Sequence, residues 1–135
     1  MLLWSWPAFL YASQFDSVFL KPTIFQEITA LAVSEGQSPL LMLAIAQCES
    51  GVRQFEKSGD VLRGRINRKD VGIFQINEKY HLEKSQTLGY DIYSVAGNIQ
   101  YAIYLLKFYG TQPWSASASC WANLDNLVYK GLLEG

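Results

Sequence analysis

Charge is what this sequence has least of. Only 17% of its 135 residues are Asp, Glu, Lys or Arg, and 11 basic against 12 acidic side chains leave a formal net charge of -1. Without a cationic surplus there is no electrostatic footprint for nucleic acid, so an uncharged polymer suits the chain better than a polyanion. Histidine and cysteine are also scarce. His81 stands alone, and Cys48 and Cys120 lie in opposite halves of the chain and match no zinc-ligand spacing. No metal or cofactor is therefore expected, His81 reads as structural, and the cysteines are either one disulfide or two buried thiols. Repeats, linkers and low-complexity stretches are missing too. At this length that leaves one domain, able to bury roughly two-thirds of its unfolded surface. Half of the residues are hydrophobic and 14% are aromatic, which excludes intrinsic disorder and suits a compact helical domain.

The first fifteen residues carry no charged side chain and include Trp4, Trp6, Phe9 and Tyr11. The run is too short to span a membrane, and it lacks the basic start of a secretory signal. Residues 1–20 therefore read as an apolar arm or helix packed on the domain, as the remnant of a signal or anchor, or as a segment lying in a membrane interface. The domain proper is expected over 21–135. Pro22 opens an amphipathic helix through Ile24, Phe25, Ile28, Leu31 and Ala32 that stops near Gly36. Ser38-Pro39 caps the next helix, whose run from Leu40 to Gln47 is apolar all round, the pattern of a helix buried at the centre of its domain. Glu49 rides at its C-terminal end. Charged and glycine-containing sequence from Gly51 to Lys69, with turn signals at Ser58-Gly59 and Gly64, predicts a short hairpin or irregular loop. A polar helix is expected over Leu82 to Leu88. A longer one, capped by Asp91 or Ser94, buries Ile99, Ala102, Ile103 and Leu106 and ends at Gly110, with Tyr101, Tyr104 and Phe108 packing on another face. One or two short helices follow from Trp114, with Leu124, Leu127, Val128 and Leu132 as their apolar residues.

Glu49 is the residue with the clearest chemistry. Uncharged residues from Leu41 to Cys48 precede it, and no neighbour within three positions is acidic. Burial favours the neutral carboxylic acid, and the partial negative charge of a helix C-terminus acts in the same direction. An acid kept protonated near neutral pH is what cleavage of a glycosidic bond requires. By position alone, a capping or solvated surface glutamate is the competing reading. Cys48 sits at the wrong end of a helix for a reactive thiolate, so it is not a nucleophile. Arg63, Arg65, Arg68 and Lys69 read as a solvated loop, or as a minor contact for carboxylates of a substrate.

The segment Gln47-Cys48-Glu49-Ser50-Gly51 resembles the Glu-Ser motif of lytic transglycosylases, lysozymes and resuscitation-promoting factors. Gly72-Ile73-Phe74-Gln75-Ile76-Asn77 resembles the Gly-Leu-Met-Gln-Ile-Asn element of the transglycosylases and the Gly-Ile-Leu-Gln-Ile-Asn element of c-type lysozymes. Each motif is weak alone. Together, in this order and with a matching helix from Asn98 to Gly110, they make a specific signature over residues 38 to 121. The resemblance implies a mainly α, lysozyme-like fold: a helical domain around a buried central helix, with a small β-hairpin or loop lobe. It implies an extracytoplasmic enzyme, expected as a monomer, whose partner is the glycan strand of peptidoglycan. Any membrane contact would come only through the N-terminal segment.

By that resemblance Glu49 is the general acid. Ser50 orients it or touches substrate, Gly72 lets backbone approach a sugar, and Phe74 helps line the binding site. Gln75 and Asn77, placed on one side by alternation, offer amides to hydroxyl and N-acetyl groups; the competing reading of these amides is a turn stitched to the core. Asp70, two residues before Gly72, matches the second carboxylate of c-type lysozymes, a role transglycosylases do not need. Equally, it could cap the Gly72 turn or pair with Arg65, Arg68 or Lys69. Asp60 and Glu56 are weaker choices. The Ala-Tyr-Asn element usual after the long helix in transglycosylases is missing. In its place Gln112-Pro113-Trp114-Ser115 and Ser119-Cys120-Trp121 resemble the end of resuscitation-promoting factors, which implies a Cys48–Cys120 disulfide. Trp114 either stacks on a sugar or packs. The function implied is a lytic transglycosylase. A hydrolytic muramidase using Glu49 with Asp70, and a catalytically silent peptidoglycan-binding domain, are the alternatives.

Overall fold

The computed structural model describes residues 21–123; the expected arm over 1–20 and the apolar tail residues Leu124, Leu127, Val128 and Leu132 lie outside them. The first helix, α1 (Ile24–Ser34), begins two residues later than Pro22 suggests because Thr23 and Gln26 close a reciprocal capping box around its first turn. In α2 (Pro39–Ser50), the Ser38 hydroxyl accepts the Leu41 N–H and Pro39 occupies the first helical position, as the sequence requires. Met42, Leu43, Ala44, Ile45 and Ala46 are all buried, and α1, the later helices and the β lobe pack around them. Each fully buried side chain such as Ile45 contributes about 1.5–3 kcal/mol by leaving water, which is why a helix without a polar face ends up at the centre.

The segment after α2 is an irregular lobe. Phe55 bridges Val61 around a turn at Ser58-Gly59, and Arg63 bridges Val71. A two-stranded antiparallel sheet, β1 (Asp70–Val71) and β2 (Ile76–Asn77), pairs Asp70 with Asn77 and Val71 with Ile76. Helix α3 spans Glu78–Thr87, four residues earlier than its apolar content predicts, because the Asn77 side chain accepts the Lys79 N–H and caps it. Ser94 caps α4 (Val95–Tyr109), while Asp91 accepts the Tyr93 N–H in the preceding turn. Of the aromatic series on α4, Tyr101 is buried and stacked with Tyr104, but Phe108 is 68% exposed and does not join the core. A 3₁₀ segment, Gln112–Ser117, and a short α5 (Ala118–Trp121) close the described chain. The architecture is mainly helical with one small sheet, as expected.

Two restraints position the lobe and the end of α2. Cys48 and Cys120 form a disulfide across 72 positions, with Cα atoms 6.0 Å apart, tying the last turn of α2 to α5. The second restraint is a pair of fully buried amides, Gln54 and Asn98. Gln54 Oε1 accepts the Ile73 N–H at 3.0 Å, and its Nε2 donates to the Ile92 carbonyl at 3.2 Å. Asn98 Oδ1 accepts the Phe74 N–H at 3.0 Å, and its Nδ2 donates to the carbonyls of Val71 and Ile92. Gly72, at φ +72°, is where the loop passes between them; a Cβ there would fall 2.4 Å from Gln54 Oε1 and 2.5 Å from Asn98 Nδ2. The glycine thus makes room for two amides, rather than for a sugar.

Replacing Gly72 with Ala is therefore expected to cost about 2–4 kcal/mol, from the left-handed backbone together with overpacking, measured by denaturant unfolding. A wild-type midpoint would overturn the clamp. Reducing the disulfide, or replacing Cys48 and Cys120 with Ser, is expected to lower stability by about 2–4 kcal/mol, since a long loop is no longer closed in the unfolded chain.

Candidate active site

Helix α2 ends at Gly51, whose left-handed backbone stops it just after Glu49. Glu49 consequently projects from the last turn of a buried helix while staying half-exposed. Two recesses meet there. One, about 610 Å³, runs past Arg53, Arg63, Arg65, Ile66 and Asn67. The other, about 220 Å³, runs past Phe74, Asn77, His81, Leu105, Pro113 and Trp114. Glu49, Asp70, Gln75 and Ala116 line both, so the recesses form a single cleft with the two carboxylates at its middle.

Burial raises the Glu49 pKa above its ordinary value, and this effect outweighs the others. The Ser117 hydroxyl donates to Glu49 Oε1 at 2.5 Å and pulls the value back, while the negative charge of Asp70 pushes it up. Ser117 can also donate to the Trp114 carbonyl, 3.1 Å away. A hydroxyl is donor and acceptor at once, so Ser117 can serve Glu49 in either protonation state: donating to the carboxylate, or accepting from the acid while donating to Trp114.

The other residues singled out in the sequence have these places. Asp70 stands on β1, and its Oδ1 accepts from Asn77 Nδ2 at 2.8 Å; among the described residues it forms no ion pair with Arg65, Arg68 or Lys69. Ser50 is buried, donates to the Ala46 carbonyl and accepts the Arg53 N–H, so its hydroxyl is committed to the helix end and Ser117 holds Glu49 instead. Phe74 has 0% exposure and offers a sugar no surface; it packs edge-on against Trp114, which is 4% exposed and donates its indole N–H to the Phe74 carbonyl. Gln75 and Asn77 do reach one cleft, but not by strand alternation. Gln75 closes the turn from Gly72 with φ +49°, its Nε2 donating to the Gly72 carbonyl at 2.9 Å. Asn77 gives one amide end to Asp70 and the other to the α3 cap. Asp60 and Glu56 lie at the tip of the lobe and line neither recess.

Three site-building residues, Ser117, Gln54 and Asn98, escaped the sequence reading, and a fourth, His81, was read as structural. Ser117 follows no motif. Gln54 sits in a loop, and its burial has no local signal. Asn98 was detectable as a polar residue four before Ala102 on the buried stripe of α4. His81 lines the smaller recess with Nδ1 2.9 Å from the Tyr101 hydroxyl; burial lowers its pKa, and burial together with neighbouring tyrosines pushes Tyr101 up to about 12, so both are neutral at pH 7.

The family model described as the transglycosylase SLT domain matches residues 26–120. The chain belongs to that family. Neither curated proteins nor solved structures yield a match. As an SLT domain, the chain falls in a family of enzymes that act on peptidoglycan, and its cleft lies wholly inside the matched residues. No helix among the described residues is long and apolar enough to cross a membrane.

The opposed influences on Glu49 make a two-sided prediction for its titration, followed by carbon NMR of the carboxyl. Asp70→Asn removes an anion and should lower the Glu49 pKa. Ser117→Ala removes a donor to the carboxylate and should raise it. Shifts of the same sign in both variants would refute the arrangement.

Proposed function

We propose that this SLT domain is a lytic transglycosylase that cuts the β-1,4 bond between N-acetylmuramic acid and N-acetylglucosamine, with Glu49 as general acid and then base. The observation that carries the reading is the half-buried Glu49 carboxyl at the centre of the cleft, its pKa raised by desolvation. The protonated acid gives its proton to the glycosidic oxygen as the bond to the muramoyl C1 breaks. The carboxylate so formed takes the proton of the muramoyl C6 hydroxyl as that oxygen closes on C1. Glu49 returns to its starting state, no water is consumed, and the product ends in an anhydro sugar. The bond between Ser117 and Glu49 suits this cycle, since a hydroxyl can follow the carboxyl through both states. Action on the wall places the working enzyme outside the cytoplasm.

A hydrolytic reading has one observation in its favour. Asp70 lines the same cleft as Glu49 and lies close enough for its charge to act on it, as the second carboxylate of a hydrolase would. In the transglycosylase reading the same charge has a milder task, keeping Glu49 protonated to higher pH.

Glu49→Gln is expected to lower turnover of purified peptidoglycan by about 10²–10⁴-fold, the usual contribution of a general acid, with binding to the polymer retained. Equal turnover by variant and wild type would remove Glu49 from its role. Mass spectrometry of the wild-type products decides the second step, anhydro ends supporting transglycosylation and reducing ends hydrolysis. Asp70→Asn should keep anhydro products while moving the alkaline limb of the pH profile down, because the acid then loses its proton earlier.

A further inference from the structure

The two wings of the cleft differ in charge. Beyond the shared centre, the smaller wing holds aromatic, apolar and amide side chains, with His81 kept neutral by burial. The larger wing holds three arginines. Arg63 is already neutralised: its guanidinium donates to Glu78 Oε1 at 2.8 Å and to the Arg68 carbonyl at 2.9 Å. Arg53 and Arg65 are different. Among the described residues neither forms an ion pair, although Glu49 and Asp70 line the same wing. Arg53 is fixed at the end of α2 through its Nε, which donates to the Ser50 carbonyl at 3.0 Å; no bond of its terminal nitrogens within the described residues takes up their charge. Beside Arg65, Ile66 is fully exposed at the rim, an apolar side chain next to a cation and open to solvent.

The two sugars that flank the bond to be cut have the complementary asymmetry. The N-acetylglucosamine is neutral, whereas the N-acetylmuramic acid carries a lactyl ether and a peptide with free carboxylates. Asp70 repels such an anion from the centre, and the arginines attract it to one side. We propose that the wing lined by Arg53 and Arg65 is a subsite for the carboxylates of the muramoyl-linked peptide, so that this side of the cleft takes the muramoyl side of the bond to be cut. Ile66 then covers the lactyl methyl or a small apolar side chain of that peptide. The inference rests on the peptidoglycan-cleaving reading above and assigns an orientation to the strand within it.

The test compares soluble glycan strands with free peptide carboxylates against the same strands with those carboxylates capped as amides. Capping should lower the wild-type kcat/KM by about three- to tenfold, mainly through KM, the scale expected of two solvent-accessible charge contacts. The double variant Arg53→Gln/Arg65→Gln should lose that sensitivity, and Arg53→Lys/Arg65→Lys should keep most of it. Wild-type indifference to capping, or equal sensitivity in wild type and the glutamine variant, overturns the proposal. Binding of a disaccharide-peptide and its amide-capped form to Glu49→Gln, read by NMR shifts, separates the two failures. A capping-sensitive affinity that depends on Arg53 and Arg65 supports the subsite even if no strand is cut. A capping-independent affinity refutes it even if cleavage is robust.

Discussion

The site depends on a piece of polar chemistry buried inside the core. Gln54 and Asn98 are inaccessible to solvent, and between them they engage the backbone of Val71, Ile73, Phe74 and Ile92. A buried amide left without partners costs about 1–3 kcal/mol, whereas one fully bonded fixes its surroundings in a single arrangement. Here every buried side-chain nitrogen and oxygen among the described residues has a partner. The loop from Gly72 to Phe74 is thereby locked against α4. Asp70, two residues before it, and Gln75, directly after it, are carried to the cleft as a consequence.

The same economy governs Glu49. Its helix is held in place by apolar burial, and its last turn by the Cys48–Cys120 link, so the carboxyl has little freedom to seek water. Desolvation then outweighs the one strong hydrogen bond that favours the anion. That hydrogen bond comes from the 3₁₀ segment on the far wall, which is itself stapled to the loop by the Trp114 indole on the Phe74 carbonyl. Loop, wall and helix end are three parts of one connected network. Gln75, held at a left-handed φ that is strained for a residue with a side chain, sits where they converge.

Much of the fold was legible in the residues themselves. Ser38-Pro39 declares the start of α2, its unbroken apolar run declares its burial, and Ser94 and Gly110 bracket α4, because caps and periodicity act over one or two turns of chain. The start of α3 is not legible in its polar first turn, since Glu78-Lys79-Tyr80-His81 carries no apolar stripe and the Asn77 cap shows only in the folded chain. The motifs also carried the family. Their individual residues were less transparent: Gly72, Phe74 and Ser50 lie in the segments that identify an SLT domain, yet the structure commits them to packing and backbone bonds.

What the sequence determined alone was the helical architecture, the family, and a glutamate at the end of a greasy helix. What it could not determine was the company that glutamate keeps. Ser117 meets Glu49 across 68 positions, Asn98 holds the Phe74 amide across 24, and two of the three arginines in the large wing stand apart from the ion pair that neutralises the third. Such pairings have no local signal, since they exist only once the core has closed and set which side chains share a space. Tertiary packing therefore decided the electrostatics of the cleft, and with it the protonation of Glu49 on which the proposed chemistry turns.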